Sequence, residues 1–207
     1  MDLPGHLELP LTTGEPWWYW LGDRPALDFV NTLRERWNRR VETLVTPRDL
    51  ARWLVQSGLM AEEPAKVPRT VLEEARELRE AIDVLVVAAV EDRPAPVAAV
   101  TLVDRWLVHA GRRPQLRRAR DGGLELAERA PADSPRRALG TIALDAATIL
   151  GTLAQRERVR ICAAPDCSAR FYDRSPAAKR RWCSMRTCGN AAKARRHRER
   201  ARETAGA

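Results

Sequence analysis

Cys162, Cys167, Cys183 and Cys188 form two pairs, with four residues inside each pair and fifteen between the pairs. Thiolates are soft donors, and four of them at this spacing suit one tetrahedral Zn²⁺. Free or redox-active thiols and an iron–sulfur cluster are the other chemistries open to the same residues. Clustering within 27 residues favours metal over disulfides in a reducing compartment. A site closed by four sulfurs leaves no position for a reactive water, so such an ion is structural. Between the pairs the only large apolar residues are Phe171, Tyr172 and Trp182. Metal binding must therefore supply much of the folding free energy, about 10–16 kcal/mol in zinc-finger peptides.

Charge is concentrated around these cysteines. Residues 156–203 carry 15 Lys/Arg against 5 Asp/Glu, whereas everything before them carries 21 against 23. A field of that sign attracts polyanions. The segment from Ala191 to Arg202 is rich in helix formers. At 100° per residue Lys193, Arg196 and Arg200 share one side, and Arg195, Arg198 and Arg202 the other. Such a helix has no apolar stripe to bury and lies in solvent or against an anionic partner. Arg180, Arg181 and Arg186 add charge near the metal. Arginine holds phosphate bidentately and reads guanine edges, so duplex DNA is the expected partner. RNA fits the same charge, with Phe171, Tyr172 and Trp182 as stacking candidates, although Phe171 and Trp182 are expected to pack around the metal.

The elements that must position this module are helical. Ala26 to Trp37 reads as one helix. Thr46-Pro47-Arg48-Asp49 is a helix start: Thr46 caps, Pro47 takes the first helical position, and Asp49 faces the positive end of the dipole. That helix stops at Gly58. Val71, Ala75, Leu78, Ile82, Leu85 and Ala89 form a stripe of alternating four and three spacing, predicting a long core helix after Pro68. A further helix runs from Val97 to about Gly111, and another follows Ser134-Pro135. Asp121-Gly122-Gly123 predicts a small hairpin over about 114–128. Near the cysteines, a strand over 167–173 is expected to pair with one over 179–183, with Gly189 giving the chain freedom and Asn190 capping the last helix.

The fold class is thus mainly α: a multihelical N-terminal domain, residues 1–155, with a small β-hairpin, then a four-Cys zinc module, residues 156–207, ending in the basic helix. The first domain is expected to fold alone. No apolar run approaches membrane length, and the acidic start argues against a secretory signal, placing the chain in the cytoplasm.

Two stretches resemble a known bacterial arrangement. Trp182-Cys183-Ser184-Met185, followed by Cys188-Gly189-Asn190 and Lys193, resembles the CGNR zinc finger. Leu27-Asp28-Phe29-Val30-Asn31-Thr32 and Arg48-Asp49-Leu50-Ala51-Arg52-Trp53-Leu54 resemble the ABATE domain that normally precedes it. The resemblance implies a stress-induced transcription regulator with a DNA-binding finger, and together the two modules cover about residues 20 to 200. The fourth residue of the naming motif is Ala191 here rather than Arg. That removes one phosphate contact, for which Arg186, Arg195 and Arg196 are nearby substitutes.

Asp28 and Asn31 stand one turn apart. With Trp17, Trp18 and Trp20 they are a candidate pocket for a small effector; the alternative is that they satisfy backbone groups. No spacing suggests a catalytic triad or a phosphate loop, so no enzyme is expected. The competing readings are an RNA- or ribosome-associated zinc protein, and a small-molecule-binding helical domain with an incidental basic tail. Homodimerisation is compatible with each.

Overall fold

The computed structural model describes residues 18–111, 115–127 and 132–205. Trp17 lies outside them. In chain order the elements are α1 (Pro25–Val30), β1 (Leu33–Arg34), β2 (Val41–Glu42), α2 (Pro47–Gln56), α3 (Arg69–Val90), α4 (Val97–Leu107), β3 (Gln115–Arg118), β4 (Leu124–Ala127), α5 (Pro135–Gly151), α6 (Leu153–Arg156), β5 (Val159–Ile161), β6 (Arg170–Tyr172) and α7 (Asn190–Ala205). A π-helical turn, Met185–Gly189, leads into α7. The strands form three antiparallel pairs, β1–β2, β3–β4 and β5–β6. None of the described helices is long and apolar enough to cross a membrane. The chain is mainly α, as the sequence predicts.

Helix α5 sits against α1, α3 and α4. The stripe Val71, Ala75, Leu78, Ile82 of α3 is buried with Leu139, Ile142, Ala146 and Ile149 of α5. Each such large side chain, fully removed from water, contributes about 1.5–3 kcal/mol. Gly140 lets α5 cross the end of α4, because a Cβ there would stand 2.5 Å from the carbonyl carbon of His109. Asp145 of α5 accepts from the Ala26 N–H at 3.0 Å, so an acidic side chain from another helix caps the N-terminal end of α1. The predicted Thr46 cap of α2 is present, its Oγ1 accepting from the Asp49 N–H, and Asp49 Oδ2 accepts from the Thr46 N–H in return, which completes a capping box.

Two expectations are corrected. The helix predicted over 26–37 ends at Val30. Thr32 turns its hydroxyl back to the Phe29 carbonyl as the chain enters β1, and Glu35, with a left-handed conformation at φ 48°, turns it out of β1 again. The strand near the cysteines does not pair with 179–183. It pairs with Val159–Ile161, which the apolar interior draws inward: Val159 belongs to the core of the helical body.

Candidate metal centre and its junction with the helical body

β5 and β6 bring Cys162 and Cys167 to one end of their ladder. Cys162 follows β5 directly and donates its N–H to the Ala169 carbonyl at 2.9 Å. The π-helical turn carries Cys188. Ser184 caps that turn by accepting from the Thr187 N–H, so the cap falls six residues before Asn190, which donates to the Arg186 carbonyl from inside α7. Gly189 serves close packing: an added Cβ would lie 2.9 Å from Met185 Cε.

The four sulfurs lie within 4.8 Å of one another. Cys167–Cys183 and Cys183–Cys188 are separated by 3.8 and 3.7 Å. Tetrahedral coordination at a Zn–S distance of about 2.3 Å requires sulfur–sulfur edges of roughly 3.8 Å, so the set is sized for this ion. Backbone N–H groups of Cys183 and Ala169 point at the sulfurs of Cys162 and Cys167, each at 3.5 Å, a supporting layer suited to thiolates. Four thiolates this close repel one another, and a bound divalent ion would offset that repulsion and favour their ionised form. Phe171 is fully buried beside them, and Trp182 packs against the same cluster.

The finger is joined to the helices by buried polar contacts. Asn31 donates from Nδ2 to the Arg170 carbonyl at 2.9 Å and accepts from the Arg170 N–H at 2.8 Å. The Arg170 side chain is 2% exposed and reaches Asp83 of α3, its Nε 2.6 Å from Oδ1 although the N–H is not aimed along that line. Burial lowers the Arg170 pKa, and Asp83 opposes that shift. Arg36 binds Asp83 at 3.1 Å and Glu80 at 2.7 Å, and Arg79 forks onto Glu42 with two bonds of 2.7 Å. Burial alone would lower Arg79, but its bonds to Glu42 and Glu80 hold it above the ordinary value. Tyr172 donates its N–H to the Gly22 carbonyl at 2.9 Å, and Trp37 donates Nε1 to the Pro165 carbonyl at 3.1 Å.

Other residues singled out from sequence fall in several places. Trp18 is buried, and Trp20 stacks on Trp53 with ring centroids 5.7 Å apart. Asn31 spends its amide on β6. Asp28 accepts from the Gly22 N–H at 2.7 Å. Burial pushes the Asp28 carboxyl up to about 7, with Asp23 and Asp145 adding to the rise. Arg180 turns inward: it donates to the Cys183 carbonyl at 2.8 Å and lies over the Phe171 ring at 5.0 Å. Arg181 lies over Trp182 at 5.2 Å. Arg186, Lys193, Arg196, Arg198 and Arg200 are exposed, whereas Arg195 is half-buried and 4.0 Å from Glu199. The residues missed by sequence reasoning are Arg36, Arg79, Asp83 and Arg170. The signal for two of them was present: Arg79 and Asp83 flank the apolar stripe of α3, where charges are costly unless paired.

The raised Asp28 pKa has a pH signature. A carboxyl whose folded pKa exceeds its unfolded value stabilises fully at pH below the unfolded value. That contribution is lost as pH rises toward the folded value near 7. Asp28→Asn keeps the acceptor and cannot ionise. Its stability advantage over the native chain is expected to grow by about 1–2 kcal/mol between pH 5.5 and 8, discounted for partial solvent contact. Urea melts at the two pH values measure it, and a pH-independent difference would refute the assignment.

A helical body capped by a closed four-thiolate centre defines a zinc-finger protein carrying one structural ion. The family model described as "Putative stress-induced transcription regulator", ABATE, matches residues 23–153, and the CGNR zinc finger model matches residues 158–201. The chain belongs to the ABATE family and ends in a CGNR zinc finger. No curated protein matches it.

Proposed function

We propose that this chain is a cytoplasmic DNA-binding transcription regulator whose zinc module presents α7 to duplex DNA, with the helical body, residues 1–155, sensing or dimerising. The observation that carries this reading is the composition of α7. Lys193, Arg195, Arg196, Arg198, Arg200 and Arg202 occupy all its sides, and Ala192 is its only buried residue among those described. A helix polar all round is not built to pack against its own protein. Its N-terminal end is fixed by the metal through Cys188, so Arg186 and Arg195 stand where geometry is most constrained and are the candidates for reading bases. Lys193, Arg196, Arg198 and Arg200 serve phosphate. Arg181 extends that surface, whereas Arg180 supports the finger from within.

Phosphate neutralisation releases counterions, so log affinity for duplex DNA should fall with log salt at about −0.9 per contact, or roughly −4 to −5 for four to six contacts. Removing Lys193 or Arg196 should flatten the slope by about one unit. Arg186→Ala or Arg195→Ala should instead cost about 1–3 kcal/mol at one sequence position and relax the preference there. Arg180→Ala should lower finger stability and leave the slope intact. Labelled-duplex titrations at several salt concentrations, with structured RNA as competitor, read all of these. Preference for RNA would move the chain to the RNA-associated reading, and no duplex binding at low salt by zinc-loaded protein would end the DNA reading.

A further inference from the structure

We propose that the cleft between the C-terminal ends of α3 and α5 and the flank of α4 is a binding site for a lipophilic organic cation. Its volume is about 450 Å³, within the range of small-molecule sites. Ala88, Val100, Val103, Leu107, Ala146 and Leu150 make its walls apolar, and Val100 is 47% exposed there. It stands apart from the metal centre and from the Trp18, Asp28 and Asn31 region, and it does not rest on the DNA reading.

The charges at its mouth select the ligand. Asp92 and Asp104 border the cleft, and neither side chain has a hydrogen bond or an ion pair among the described residues. Of the two bordering cations, Arg93 is paired with Glu91 at 2.5 Å and Arg156 donates to the Leu150 carbonyl at 3.1 Å, which leaves two carboxylates against the one charge of Arg156. Helix α3 ends here without a basic residue in its last turn, so the negative end of its dipole adds to the carboxylates, whereas the end of α5 is met by Arg156. Asp92 itself holds a left-handed backbone, φ 50°, at the turn after α3. An apolar enclosure with unpaired negative charge at its opening fits a hydrophobic cation and disfavours an anion, although the whole chain carries a net charge of +8.

Calorimetry of the full zinc-loaded chain with tetraphenylphosphonium, and with neutral triphenylphosphine oxide of similar shape, tests the site. The cation should bind saturably at one site, about tenfold more tightly than the neutral probe, the scale of one retained charge contact. Asp92→Asn/Asp104→Asn, at two exposed positions whose side chains have no hydrogen bond or ion pair among the described residues, should remove that preference and leave the neutral probe unchanged. Ala147→Leu, which narrows the cleft from α5, should weaken both probes, with a thermal melt reporting whether the chain remains folded. Absent saturable binding, equal affinity for the two probes, or indifference of the cation to the double Asn variant would overturn the proposal.

Discussion

Stripping the metal, or substituting Cys183→Ser, is expected to release about one zinc per chain and to lower the stability of the helical body together with the finger. Among the described residues, the apolar cluster around the cysteines holds only Cys162, Ala169, Phe171, Cys183 and Cys188 as buried members. It cannot replace metal binding worth about 10–16 kcal/mol, a sum comparable to the whole stability of a domain. Once the cysteines separate, β6 loses its anchor. The Arg170 backbone then leaves Asn31, and the buried Asp83 loses one of its two arginines. Val159, 1% exposed in the core of the helical body, is tethered to that same strand. The destabilisation should therefore propagate into α1 and α3. Elemental analysis would follow the zinc, and thermal unfolding watched by helical circular dichroism would follow the body. An unchanged helical transition in zinc-free protein would show that the two modules are energetically separate, and a chain retaining metal after Cys183→Ser would contradict the ligand set.

How far the sequence reveals this architecture depends on the range of the contacts that decide each element. The Thr46 cap of α2 is decided within three residues and is legible, and the structure adds the return bond to Asp49. The α3 stripe is legible because one face decides it, and the cysteines because their spacing is a chemical signature. The early end of α1 was hidden in side chains that bond back to the backbone, Thr32 to Phe29 above all. The pairing of β5 with β6 was hidden because three-residue strands carry too little periodicity to compete with a neighbouring segment. The junction was hidden for a different reason. Asn31 and Arg170 are 139 residues apart, Asp83 and Arg170 are 87 apart, and nothing local marks them as partners. Arg180 and Arg186 look alike in sequence. Position alone separates them, one over Phe171 and the other in solvent.

The buried pair Asp83–Arg170 should show a strong asymmetry between breaking it and replacing it. Asp83→Ala leaves two guanidiniums, 6% and 2% exposed, without their shared carboxylate, although Arg36 keeps Glu80. Removing one member of a buried pair costs about 3–5 kcal/mol, because the other remains as uncompensated charge away from water. Arg170→Met should cost less, since Asp83 retains Arg36 at 3.1 Å. The double variant Asp83→Leu/Arg170→Met removes both charges and fills the space with apolar atoms, so it should recover most of the loss. Replacement of a buried pair by matched hydrophobic residues is often neutral or stabilising by about 1–4 kcal/mol. The full chain, zinc-loaded, would be unfolded in urea for the native protein, both single variants and the double. Strict additivity of the two losses would mean that the charges do not interact and that Arg170 holds the finger through its backbone alone. Recovery in the double variant would place the side-chain pair among the contacts that lock β6 onto α3. The Asn31 bonds, which depend only on the Arg170 main chain, should survive in all four proteins. Asn31→Ala in the double-variant background should therefore lower the remaining junction stability further, and what is left after it belongs to the Tyr172–Gly22 and Trp37–Pro165 bonds and to Val159 in the core.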